Sequence, residues 1–302
     1  MKYTNKIICV GCAGWDFIGQ TQIPMGNGSD VPGTIKIKIG GVATNIARNL
    51  TTSKPPNNDL DVILLTCIGN DPGSEILLDQ LEKENVNCGH ILRAEGLSDS
   101  YIGIEAKGEL FGAVASSTLI NSHGTDIIKQ FEQRSISKNE NLLYSHIILD
   151  TNLSYETLNY IIKDSVLSGT DIVIACASPY KTDKLRYLLE TKKCSIYSNL
   201  KEASAIAKKN FICSSEAAEY LYTIGAHRAT VTNGAKKASN RCDSGLATIT
   251  PSQVLTKTAT GAGDAFLAAH ILSMTFNPND QAIRHLEIAE LAARKKIRGK
   301  ND

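Results

Sequence analysis

The chain has 302 residues, with 32 lysines and arginines set against 31 aspartates and glutamates. So even a balance produces no long-range field, which excludes nucleic acid and anionic membranes as expected partners and directs the search to a pocket for a small molecule. No run of about 18 apolar residues occurs, no leader pattern precedes the first apolar strand, and the eight cysteines lack paired metal-ligand spacing, so a cytoplasmic protein with reduced thiols is predicted.

Short β-branched runs at residues 7–10, 62–66, 146–149, 172–175, 195–197 and 229–231 alternate with helical patterns at 42–52, 74–84, 154–164, 201–208, 215–223, 265–274 and 282–298. That rhythm predicts an α/β fold, a parallel sheet covered by helices, in a single domain spanning 1–302. Cys9 and Cys12 form a CxxC inside the first run, where two core thiols are the expected reading. Residues 34–39 alternate apolar residues with lysine, and two half-polar runs, 101–105 and 110–115, flank the turn Ala106-Lys107-Gly108-Glu109. Such strands suit a small separate sheet, drawn from about 12–40 and 98–118, that could act as a lid. Residues 51–61, rich in Pro, Asn and Thr, are expected to form a surface loop, and the basic residues of the last helix a solvated face.

Two glycine-rich stretches carry the chemistry. Thr260-Gly261-Ala262-Gly263-Asp264 opens the apolar helix at 265–274, and its small residues allow successive N–H groups to converge on an anion at a helix N-terminus. A carboxylate there would repel a bound phosphate, so Asp264 makes chemical sense as a base facing a hydroxyl. Taken alone, the string equally allows a helix-favouring Asp264. At the other end of the chain, Gly40-Gly41 precedes the helix that carries Asn45, permitting close approach of a ligand to the backbone or simply a tight turn.

Together these two stretches resemble the paired signatures of the PfkB, or ribokinase-like, carbohydrate kinase family. Between them fall Gly11 and Asp16, Gly69-Asn70-Asp71-Pro72-Gly73, Asn199-Leu200-Lys201-Glu202 and Val231-Thr232-Asn233-Gly234, in the family's order. The resemblance implies a Rossmann-type three-layer sandwich with a β-lid, ATP as phosphoryl donor and Mg²⁺ near Asn199 and Glu202. It also implies Asp264 as base, Gly261, Ala262 and Gly263 cradling the phosphoryl group, and Asp16, Gly40, Gly41 and Asn45 around the acceptor. Thr232 and Gly234 would border the nucleotide. Asn199 and Glu202 also have the spacing of a helix cap, and Asp16 that of a turn residue. Lid strands mediate dimers in relatives, which implies a homodimer.

Within the family, Gly40 to Ala47, Asp150-Thr151-Asn152-Leu153-Ser154 and Ser178-Pro179-Tyr180-Lys181 resemble stretches of pseudouridine kinases. Thr44 departs from their arginine, and Ala175-Cys176 from their Asp-Pro pair. Thr258-Ala259-Thr260 lacks the carboxylate that serves the family's monovalent-cation site, so a K⁺ requirement is not carried over. Two rival classes stand beside the kinase: a binding protein that kept the fold without catalysis, and a dinucleotide-binding oxidoreductase. Gly11, Gly14 and Gly19 miss the G-x-G-x-x-G spacing that the second needs.

Overall fold

The computed structural model describes residues 5–56, 58–107, 109–137, 144–253 and 261–299. The expected elements at Gly108, at Thr258 to Thr260 and in the last three residues lie outside the described residues. In chain order the elements are β1 (Lys6–Val10), β2 (Gly14–Thr21), β3 (Thr34–Gly40), α1 (Val42–Ser53), β4 (Asp61–Leu65), β5 (Cys67–Gly69), α2 (Pro72–Lys83), β6 (Leu92–Ala94), β7 (Asp99–Ala106), β8 (Glu109–Ala115) and α3 (Thr118–Ser137). The second half adds β9 (His146–Asp150), α4 (Tyr155–Lys163), β10 (Asp171–Ala175), α5 (Leu185–Leu189), β11 (Cys194–Asn199), α6 (Leu200–Ala207), α7 (Ser214–Thr223), β12 (Arg228–Thr232), β13 (Ala238–Cys242), β14 (Gly245–Ile249), α8 (Ala262–Phe276) and α9 (Ala282–Arg298).

The main sheet has the order β14-β13-β12-β11-β10-β9-β1-β4. It is parallel from β4 through β12 and closes with the antiparallel pair β13 and β14. Period-two alternation sorts each central strand between two cores. Ile8, Val10, Ile147, Leu149, Ile172 and Ile174 pack with the buried faces of α3, α4, α5, α6 and α7. Ile7, Cys9, Val62, Leu64, Ile148 and Val173 face α1, α2 and α8 on the other side. Both faces are covered, so these strands read as unbroken apolar runs. The three-layer sandwich expected from the sequence is therefore the architecture found. Cys9 and Cys12 are both buried and unpaired, as core thiols.

A second sheet, β3-β2-β7-β8, stands off the main one. Its two inner strands, β2 and β7, pair in parallel, each flanked by an antiparallel partner. One face carries Asp16, Ile18, Tyr101 and Glu105 toward the cavity described below. The other aligns Ile37, Phe17, Ile102 and Val114 in one cross-strand row, and Ile37 and Val114 are 61% and 74% exposed.

The structure adds elements that the sequence-based expectation lacked, among them β5, β6, α5, β13 and β14. The 12–40 segment holds two lid strands, β2 and β3, of which only the second stands out as a run in the sequence. Residues 118–137 form a long helix where none was expected, and the first part of 51–61 still belongs to α1, with Thr51 buried.

Candidate active site

The carboxyl ends of the parallel strands open into a cavity of about 480 Å³ roofed by the lid sheet. Open α/β sheets place ligands at this edge, and here it lies where the chain order switches direction between β1 and β9. Asp16, Gly41, Asn45, Asn199, Glu202, Thr232, Gly261, Gly263 and Asp264 all line it. Gly40, Gly234 and Ala262 do not: Gly40 lies against Asp16 from behind, Gly234 occupies the turn after β12, and Ala262 is the first residue of α8.

Two backbone details explain the glycine pair. A Cβ at Gly40 would sit 1.9 Å from the Asp16 carboxylate, so only hydrogen lets that side chain occupy the lid root. Gly41 has φ 99° and packs where a Cβ would meet the Cys12 carbonyl oxygen at 2.0 Å. Asp16 is half-buried, and burial raises its carboxyl above the ordinary range while Lys38 pulls it back. The Lys38 Nζ lies 3.6 Å away on a side chain 41% exposed. Such a pair contributes about 1 kcal/mol or less, so hydroxyl donors of a bound polyol can replace it.

Gly261, with φ 81°, turns the chain into α8, and Asp264 falls in the helix's first turn. The first-turn N–H groups of a helix have no intrahelical partner, and the space next to Gly263 is open: a Cβ there would meet nothing within 4 Å. Asp264 is half-buried within the cavity wall. Desolvation pushes its carboxyl up to about 7, Asp150 and Asp16 add to the rise, and a hydrogen bond from the Asn45 side chain opposes it. A carboxylate with that proton affinity is matched to taking a proton near neutrality.

Asn199 ends β11 beside Thr232 at the end of β12. Asn199 and Glu202 form a reciprocal capping box: Asn199 N–H donates to Glu202 Oε2 at 2.8 Å and Glu202 N–H to Asn199 Oδ1 at 2.9 Å. The cap uses one oxygen of each side chain, and both residues line the cavity. Desolvation pushes Glu202 up to about 7, with the Asp264 charge adding to it. Two carboxylates lining one cavity, one of them raising the other, make a good environment for a cation. Among the described residues no three acidic, histidine or cysteine side chains cluster as a metal cage.

Several wall residues carried no site signal in the sequence. Trp15, Asp99, Tyr101 and Ser116 come from the lid and its root. Asn152 and Lys181, by contrast, belong to the two stretches singled out in the sequence, and they meet with Lys181 Nζ 2.5 Å from Asn152 Oδ1 and 3.3 Å from Ser117 Oγ. Thr44, in the position of the missing arginine, is fully buried and donates to the Cys12 carbonyl at 2.9 Å, so it presents nothing to the cavity.

A doubly covered parallel sheet, a β-lid over its carboxyl edge and an open helix N-terminus beneath that lid define a ribokinase-like fold. The chain matches the model of the pfkB family carbohydrate kinases over residues 4–293 and belongs to that family. It is 27% identical over 185 residues to an uncharacterized sugar kinase of Escherichia coli, YeiI, and 25% identical over 191 residues to the pseudouridine kinase of the same organism. Those matches take in 60% and 62% of this chain but 47% and 56% of the relatives, so the chain spans about half the length of the curated relatives it matches. In three dimensions it is similar to a ribokinase from Giardia lamblia, with a TM-score of 0.81 at 17% identity, covering 97% of this chain and 94% of that one. That likeness concerns the fold. No helix among the described residues is long and apolar enough to cross a membrane.

Proposed function

We propose that the protein transfers the γ-phosphoryl group of ATP to a primary hydroxyl of a sugar or nucleoside, with O5′ of pseudouridine as the acceptor. One observation carries the reading: a single lidded cavity holds both Asp264, a carboxylate raised to about 7, and the open N-terminus of α8 beside it. Asp16 receives hydrogen bonds from the acceptor's hydroxyls, and Asn45 orients Asp264. Asp264 takes the proton of the attacking hydroxyl. Its oxygen forms the new P–O bond, the bond to the β-phosphate oxygen breaks, and ADP leaves with that electron pair. Gly261, Ala262 and Gly263 offer backbone N–H groups to the transferring phosphoryl oxygens. Thr232 and Gly234 border the nucleotide phosphates. Asn199 and Glu202 would hold Mg²⁺ through water, which supplies neutralising charge on the phosphates.

The choice of pseudouridine is supported by the meeting of the Asp150 to Ser154 and Ser178 to Lys181 stretches on one cavity wall, through Asn152 and Lys181. The test is ADP release from ATP and Mg²⁺ with pseudouridine, uridine, adenosine, ribose and fructose 6-phosphate as separate acceptors, using Asp264→Asn as the blank. Turnover confined to pseudouridine is expected. Turnover with another acceptor keeps the mechanism and replaces the substrate; silence with all five favours an acceptor outside this set or the non-catalytic binding protein.

The apolar outer row of the lid has the character of a surface covered by a second copy of the chain, with two lids packed face to face. Sedimentation should give a dimer, and a variant carrying both Ile37→Lys and Ile102→Lys a monomer. A monomeric wild type at working concentrations overturns the dimer.

A further inference from the structure

Asp150 ends β9 beneath the cavity and is 0% exposed. Its carboxylate accepts from the backbone N–H of Cys12 at 2.9 Å and of Ala43 at 3.1 Å, both on Oδ2, and from that of Asn152 at 2.8 Å on Oδ1. The Asn152 side chain also donates to it, while accepting from Lys181. Burial raises the carboxyl above its ordinary range, and the donors, every one of which favours the charged form, oppose that rise. Gly11 makes room for this arrangement, since a Cβ there would lie 2.3 Å from the carboxylate.

The three backbone donors belong to three segments, and each segment leads to a part of the site. Cys12 begins the turn into β2 and Asp16. Ala43 is in the first turn of α1, which carries Asn45 and through it Asp264. Asn152 presents Lys181 to the cavity wall. Helix α1 has no capping side chain of its own, because the backbone at its N-cap admits only Gly41. A carboxylate 107 residues away in sequence replaces the cap.

We propose that Asp150 is a positioning residue for the acceptor: one buried carboxylate fixes the mutual spacing of Asp16, Asn45 and Asn152. This rests on the functional reading above. The test is Asp150→Asn, which keeps the size of the side chain and one acceptor oxygen for Cys12 and Ala43 but turns an NH₂ group toward the N–H of Asn152. Trp15 is the chain's one tryptophan and lines the cavity, so its fluorescence reports acceptor binding without turnover. Acceptor affinity should fall about 10-fold or more, as expected when reacting groups are misplaced, with ATP affinity by calorimetry unchanged. A folded variant that binds both ligands like wild type, or loses both in parallel, overturns the proposal.

Hydrogen exchange on the wild-type protein keeps the question open to decision if the variant does not fold. The amides of Cys12, Ala43 and Asn152 should exchange as one slow group and gain protection together when acceptor binds; independent exchange overturns the shared anchor. A wild-type protein whose Trp15 responds to none of the five acceptors overturns the functional reading instead, and the exchange of the three amides in the free protein still decides whether they share one anchor.

Discussion

Two helices, α1 and α8, begin at the same edge of the main sheet, each after a glycine with positive φ, yet their N-termini are put to opposite use. At α1 the Asp150 carboxylate fills the N-terminus from within the protein. At α8 the corresponding space is part of the cavity, bordered by Gly263 and Asp264. A helix N-terminus favours an anion wherever it stands. Whether it serves structure or ligand depends on whether the chain supplies the anion itself.

The largest effect should come from altering the open end. Asp264→Asn removes the base and should lower kcat by about 10²–10⁴-fold, with ATP binding by calorimetry retained. Wild-type turnover in that variant would remove Asp264 from the mechanism. Gly263→Val adds a side chain where none now stands and should cost about 10²-fold in turnover by displacing the phosphoryl group, while thermal unfolding stays close to wild type. The filled end should respond the other way: Gly41→Ala meets Cys12 and an unfavourable φ, lowering stability by about 1–3 kcal/mol in denaturant unfolding.

Glu202→Gln separates a cap from a metal role. Glutamine completes a capping box as glutamate does, so the melting temperature should hold, while activity at limiting Mg²⁺ falls about 10-fold. Unchanged Mg²⁺ dependence would leave the pair as a cap alone. The smallest effect is one of pH. Asp264 must be deprotonated to act, so kcat/KM should rise through about pH 7 and level off above it. Its raised value also means that the folded state binds the proton more tightly between the ordinary carboxylate range and about 7. Stability from that source is present at low pH and lost as pH rises through about 7. Asp264→Asn should therefore melt higher than wild type at pH 8, and the difference should close toward pH 5.

Much of this was legible in the sequence because the signals are local. The central strands are apolar on both faces, and the glycines of residues 40–41 and 261–263 mark sites where the backbone must come close to something. Asp150 was not legible as an anchor, since its partners Cys12 and Ala43 lie 138 and 107 residues away. Helix α3 escaped notice because its buried stripe includes Gly124, Glu132 and Ser135 among the isoleucines. Gly124 admits close packing of Thr157, and Glu132 accepts bonds from Tyr160 and Val166, so polar and small residues occupy positions that periodicity expects to be apolar. In β2, glycines at 14 and 19 and a cavity-facing Asp16 mask the strand pattern.

The parallel pairing of β2 with β7 carries a consequence for how the molecule assembles. Each inner strand arrives on a separate excursion from the main sheet, with α1, β4 and α2 intervening, so neither local hairpin can nucleate the lid alone. The chain must close long loops before residues 14 and 99 meet, a step that is slow for entropic reasons. With its outer strands β3 and β8 largely exposed, the lid has little buried surface to hold it, and the exchange rates of its amides should be set by local opening rather than by global unfolding.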